Sequence, residues 1–135
     1  MCQILVIDDD SLQRATLRVG LERLGHEVHT AENGLVAIKM MNRRGISPTL
    51  VVTDMVMPEM DGLEVLQHFR QHLPHIPVVA MSGQMPESFI HLARRLGARG
   101  ALVKPVHAEM VHGVLTEILG AKDKNTSAEA GKPRR

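Results

Sequence analysis

The chain has 135 residues, room for one domain with a full hydrophobic core, and its 44% hydrophobic and 23% charged content is that of an ordinary water-soluble fold. Only Phe69 and Phe89 are aromatic, which removes the stacking platforms of a single-strand nucleic-acid binder. The net charge of +1 divides unevenly: beyond Leu119 five Lys/Arg face two acids, so the first 119 residues carry −2 and give no reason to expect direct binding of nucleic acid.

The lone Cys2 excludes an intramolecular disulfide and fits a reducing compartment. Residues 4–7 form an apolar run that ends in Asp8-Asp9-Asp10, too short for a signal peptide or a membrane span, so a cytoplasmic location is expected. This run does not alternate polar with apolar and predicts a strand buried on both faces. A helix follows, with Leu17, Leu21 and Leu24 at i, i+4, i+7, Asp10 or Ser11 as its cap, and Gly25 as its stop.

Residues 27–31 alternate through Val28 and Thr30 and suit an edge strand. Ala37, Ile38 and Met41 mark a second helix, and residues 50–53 a third strand ending at Asp54. Leu63, Leu66 and Phe69 mark a third helix. Residues 78–81 read as a fourth strand leading into Ser82-Gly83, and Ile90, Ala93 and Leu96 as a fourth helix stopped at Gly97. Residues 101–103 form a fifth strand ending in Lys104-Pro105. Met110, Val111, Val114 and Ile118 mark a fifth helix stopped at Gly120. The expected division is a folded unit at 1–120 and a disordered polar tail, or the start of a linker, at 121–135.

Five alternations of strand and helix predict an α/β fold with a doubly wound five-stranded parallel sheet. Such sheets bind ligands beyond the carboxyl ends of the strands, where strand order reverses. Asp8, Asp9, Asp54, Ser82 and Lys104 all stand at those ends. Clustered carboxylates need a shared proton or a cation at neutral pH, and all-oxygen donors suit Mg²⁺. An Asp carboxylate can take a phosphoryl group as a nucleophile, with the metal, a lysine and a hydroxyl stabilising charge on it. Gly83 would let a backbone N–H approach that group.

Four segments together resemble the signatures of bacterial two-component receiver domains. They are Ile4-Leu5-Val6-Ile7-Asp8-Asp9-Asp10, the stretch from Asp54 to Gly62, Met81-Ser82-Gly83 and Val103-Lys104-Pro105. The likeness runs over roughly residues 3–119, in the manner of single-domain chemotaxis-type receivers, and implies a flavodoxin-like strand order of 2-1-3-4-5. It further implies Asp54 as phosphoacceptor, supplied by a sensor histidine kinase or a phosphotransfer protein. Mg²⁺ would be held by Asp8, Asp9, Asp54 and the Val56 backbone carbonyl. Ser82, Gly83 and Lys104 would hold the phosphoryl oxygens, and Lys104–Pro105 would be cis. Val56 and Gln84 occupy the positions that tune phosphoryl lifetime in the family. Receivers usually carry Tyr or Phe where this chain has Ala101, so the usual aromatic relay to the output face is missing. Such a chain is not a conventional enzyme, although it catalyses its own phosphorylation and dephosphorylation.

Other readings compete with this one. A receiver cut from a longer regulator or hybrid kinase would share these motifs, and a pseudo-receiver adaptor would fit Ala101. An enzyme on the same fold is disfavoured, because no Gly-rich phosphate loop follows the first strand. Met55, Met57 and Met60 are expected to line the approach to the acceptor. His68, His72 and His75 read as a solvated face rather than a transition-metal site. The output protein is unknown, and the face of helix four, strand five and helix five, with Arg94, Arg95 and Arg99, would suit a homodimer.

Overall fold

The computed structural model describes residues 2–57, 59–83 and 87–131, with side chains described only to residue 120. Strands β1 (Gln3–Ile7), β2 (Glu27–Ala31), β3 (Leu50–Asp54), β4 (Val78–Ser82) and β5 (Ala98–Val103) alternate with helices α1 (Ser11–Arg23), α2 (Gly34–Arg44), α3 (Gly62–His72), α4 (Glu87–Arg95) and α5 (Ala108–Gly131). All pairings are parallel, in the order β2-β1-β3-β4-β5.

The apolar runs become strands because each has helices on both sides. Leu5, Ile7, Val51, Val78 and Ala80 point to one face and meet Ala37, Met41, Val65, Leu66 and Phe69. Ile4, Val6, Leu50, Val52, Val79 and Met81 point to the other and meet Leu17, Leu21, Val111 and Leu115. Right-handed crossovers then require α1 and α5 on one face and α2, α3 and α4 on the other. The chain reverses direction across the sheet between β1 and β3, which opens a crevice at their carboxyl ends.

Several expectations change in detail. The buried stripe of α1 is Gln13, Leu17 and Leu21, an i, i+4, i+8 row, while Leu24 is 41% exposed at the C-cap. Asp10, not Ser11, caps α1, accepting from the Leu12 and Gln13 N–H groups. β5 begins three residues earlier than expected, and its register shifts beside Val78 and Val79. Gly120 does not stop α5, which continues to Gly131. A single helical glycine costs about 1 kcal/mol, too little to end a helix without a left-handed turn or a proline behind it. Residues 132–135 of the expected tail lie outside the described residues.

Glycine sets one close approach between layers. A Cβ on Gly20 would sit 2.6 Å from the Ala108 Cβ, so this position brings α1 tightly against α5.

Candidate functional site

Register assembles the site. Ile7 pairs with Thr53, so Asp8 and Asp54 leave adjacent strands at the same level. Asp54 pairs with Met81 and Ser82 with Val103, which brings Ser82 and Lys104 to that level too. The Lys104 N–H then donates to the Ser82 carbonyl at 2.8 Å. Residues far apart in the chain thus converge on one rim.

Asp8 and Asp54 are buried, while Asp9 is exposed at the mouth. Each of the three offers a carboxylate oxygen, all within 4.8 Å of one another. The Lys104 ammonium bridges the inner two, donating to Asp54 Oδ2 at 3.1 Å and lying 2.9 Å from Asp8 Oδ2. The second contact ties the buried Asp8 Oδ2 to the same ammonium.

Burial raises the Asp8 carboxyl to about 6, with the charge of Asp54 adding to the effect and the Asp10 N–H and Lys104 opposing it. Burial alone would lower the Lys104 pKa, but its two carboxylate partners outweigh that and hold it above the usual lysine range. One ammonium against three carboxylates leaves the pocket short of positive charge. Together with the all-oxygen ligand set, this suits a hard divalent cation.

Neighbouring residues fix these side chains. The Asp10 N–H donates to Asp8 Oδ1 at 2.9 Å, and Arg14 donates to the Asp8 carbonyl at 2.6 Å. Thr53 donates from its buried hydroxyl to the Asp54 carbonyl at 2.9 Å. Val56 presents its side chain, 71% exposed, beside Asp54, and its N–H reaches Asp54 Oδ1 at 3.4 Å. Ser82 is buried at the end of β4. Gly83 is exposed, and among the described residues nothing lies within 4 Å of where a Cβ would stand. Lys104–Pro105 is cis. Ala101 is half-buried in β5, and Gln84 lies outside the described residues.

The methionines depart from expectation. Met55 and Met57 are buried in the core beneath the acceptor loop instead of lining its approach. Met60 has φ 54° and packs where a Gly34 side chain would otherwise stand. At Gly62 a Cβ would lie 2.6 Å from the Asp54 carbonyl oxygen and the Met55 Cα, so only glycine lets α3 start this close to Asp54. The rings of His68 and His72 stand 4.7 Å apart; among the described residues the acidic trio alone groups three such ligands.

Two arrangements escaped sequence reasoning. Gln13 donates from Nε2 to the Val106 carbonyl at 2.9 Å and accepts from the Val106 N–H at 3.2 Å, pinning the segment just beyond Lys104. Its signal was available, since a glutamine in line with Leu17 and Leu21 implies a buried polar partner. His26 and His112 share a 2.9 Å hydrogen bond across 86 positions, for which no local signal exists.

Comparison with known proteins identifies the family and the fold. The sequence profile of the response regulator receiver domain matches residues 4–116. The transcriptional regulatory protein AfsQ1 of Streptomyces coelicolor is 29% identical over 133 residues, covering 97% of this chain and 58% of that protein. The regulator of RpoS of Escherichia coli is 34% identical over 104 residues, covering 77% of this chain and 30% of that protein. The chain therefore spans about half, or less, of these relatives. Among solved structures, a receiver domain protein from Clostridium thermocellum superposes with a TM-score of 0.81 at 30% identity, covering 91% of this chain and 98% of that one. NtrX from Brucella abortus gives 0.83 at 28% identity, covering 96% of this chain and 29% of that one. With its 2-1-3-4-5 sheet and its acidic pocket at the strand ends, this chain belongs to the response regulator receiver domain family.

Proposed function

We propose that the chain accepts a phosphoryl group on Asp54 from the phosphohistidine of a sensor kinase or phosphotransfer protein. The observation that carries this reading is the convergence of Asp54 with Asp8, Asp9 and Lys104 at one rim. In the transfer an Asp54 carboxylate oxygen forms a bond to phosphorus as the phosphorus–nitrogen bond to the donor imidazole breaks. The buried Asp54 carboxylate accepts from Lys104 on Oδ2 and from the Val56 N–H on Oδ1, so it is oriented before a donor arrives. Lys104 pairs with Asp54 at rest and turns to a phosphoryl oxygen after transfer, while Ser82 and the Gly83 N–H hold others. Asp8, Asp9, Asp54 and the Val56 carbonyl would hold Mg²⁺, which neutralises charge on the transferring group.

The exposed Val56 side chain offers no group to orient a hydrolytic water, which supports slow to intermediate self-dephosphorylation. Ala101 leaves no ring to couple Ser82 to the output face, so the signal leaves by another route. That output is a change in protein contacts, in this chain alone or within a larger regulator. Exposed Arg94, Arg95 and Arg99 on the α4–β5–α5 face supply charge for a homodimer contact. No helix among the described residues is long and apolar enough to cross a membrane.

Incubation with a small acyl phosphate and Mg²⁺, followed by intact mass, tests the reading. One phosphoryl group is expected on the wild type and none on Asp54→Asn. An unlabelled wild type whose partner binding is indifferent to that substitution would favour the adaptor instead.

A further inference from the structure

The outer face of α2 carries a feature that phosphoryl transfer does not use. The helix buries Gly34, Ala37 and Met41 toward the sheet. Flanking that stripe, two i, i+4 rows run side by side: exposed Leu35, Lys39 and Arg43 in one, and in the other Val36 and Met40, partly buried against the core, with exposed Arg44. Between them lies an open furrow of about 340 Å³ lined by Val36, Lys39, Met40, Arg43 and Arg44.

Its geometry and charge specify an occupant. Parallel i±4 ridges with a furrow between them are what a second helix packs against. Val36 and Met40 are half-buried, leaving an apolar surface, and Leu35 is 42% exposed alongside. A flexible methionine in that surface adapts to the side chain that enters. Lys39, Arg43 and Arg44 have no ion-pair or hydrogen-bond partner among the described residues. Three unpaired cations on a body whose net charge is −2 are a local reversal, not background. The helix dipole explains two cations in the last turn of α2. It does not explain Lys39 a turn earlier, nor the exposed Leu35.

The platform is firm. A Cβ on Gly34 would stand 2.6 Å from Val65 and 3.0 Å from Met60, so the start of α2 is packed hard against α3 and the acceptor loop. We propose that the Leu35–Arg44 face of α2 is a docking surface for an acidic amphipathic helix of a partner protein. Its apolar residues enter the furrow over Val36 and Met40, and its carboxylates meet Lys39, Arg43 and Arg44. Lys39, Arg43 and Arg44 stand in the middle and last turn of α2, away from its rim-side start, so reversing these charges should leave transfer to Asp54 intact.

The test uses the full chain and a fluorescent synthetic helix of about 18 residues, with Leu along one face and Glu elsewhere. Controls are a scrambled peptide of the same composition and a Glu→Gln version. Anisotropy should show saturable binding of the patterned acidic peptide alone, and hydrogen exchange should slow in residues 34–44. Lys39→Glu/Arg43→Glu should weaken binding at least about tenfold while leaving acyl-phosphate labelling of Asp54 unchanged. No binding up to about 100 μM, equal binding of the scrambled peptide, or indifference to the charge reversal would overturn the proposal. So would binding to anionic vesicles and not to the peptide, which would make the face a membrane contact.

Discussion

At the scale of single residues, Lys104 stands where a bound cation would compete with it for the same oxygens. The ammonium lies within about 3 Å of both Asp8 and Asp54. Replacing it with alanine leaves the carboxylates without their resident countercharge, so Lys104→Ala should bind Mg²⁺ several-fold more tightly by calorimetry while taking up less phosphoryl label. Weaker Mg²⁺ binding would refute the competition. Asp8 gives the pH dependence. Its folded pKa of about 6 exceeds the unfolded value of about 3.9, so between the two the folded chain holds a proton that the unfolded chain has released. Stability is therefore highest below the lower value and falls as pH rises through 6. Without divalent ions, the wild type should lose stability relative to Asp8→Asn between about pH 4 and 7. Added Mg²⁺ at neutral pH should restore it, measured by urea midpoints. These residues were legible because each is the first polar position after an apolar run. Their electrostatics were not, since burial and the sharing of one ammonium by two carboxylates are properties of the assembled crevice.

At the scale of elements, α1 is tied to the rest by two devices of opposite character. Gln13 makes paired hydrogen bonds with the buried Val106 backbone. Gln13→Ala strands a buried N–H and carbonyl, and should cost about 1–3 kcal/mol in urea denaturation. It should also lower phosphoryl uptake by loosening the segment that carries Lys104. Gly20 allows the close crossing with Ala108. Gly20→Ala gains up to about 1 kcal/mol of helix propensity but overpacks the crossing by about 1–3 kcal/mol, so a net loss is expected. Ala108→Gly in the same chain should return most of it, because the clash is between those two Cβ positions. Strand and helix order was legible because apolar runs and i, i+4 rows are local. The Gln13 contact spans 93 positions and belongs to packing. The end of α5 was misjudged for the opposite reason, since a weak local signal at Gly120 was given the force of a stop.

At the scale of the whole molecule, we infer that residues 1–120 form the folded unit. The apolar contacts of α5 run through Val111, Leu115, Ile118 and Leu119, and the family match ends at residue 116. A chain ending at residue 120 should melt within about 3 °C of the full chain, as expected when no core contact is lost. A drop of more than about 5 °C would show that the extension of α5 contributes to the core. The doubly wound order was legible at this scale, because the alternation of elements and the handedness of crossovers leave few topologies. The His26–His112 bond between the turn after α1 and α5 was not.

The position of β1 between β2 and β3 has a consequence for how the protein comes into being. As synthesis proceeds, the first strand can pair with β2 early, but its other edge waits for β3, with Ile4 meeting Leu50 only after two helices have been made. Closing such a non-local pairing is entropically costly and slow. That pairing also draws Asp8 and Asp54 together, whereas Lys104 follows the last strand. Pairing of β1 with β3 alone would set like charges together without their neutralising partner, which favours closing the sheet cooperatively, with β5 bringing Lys104 as the carboxylates meet. Formation of the acidic rim is thereby coupled to completion of the sheet at its last strand.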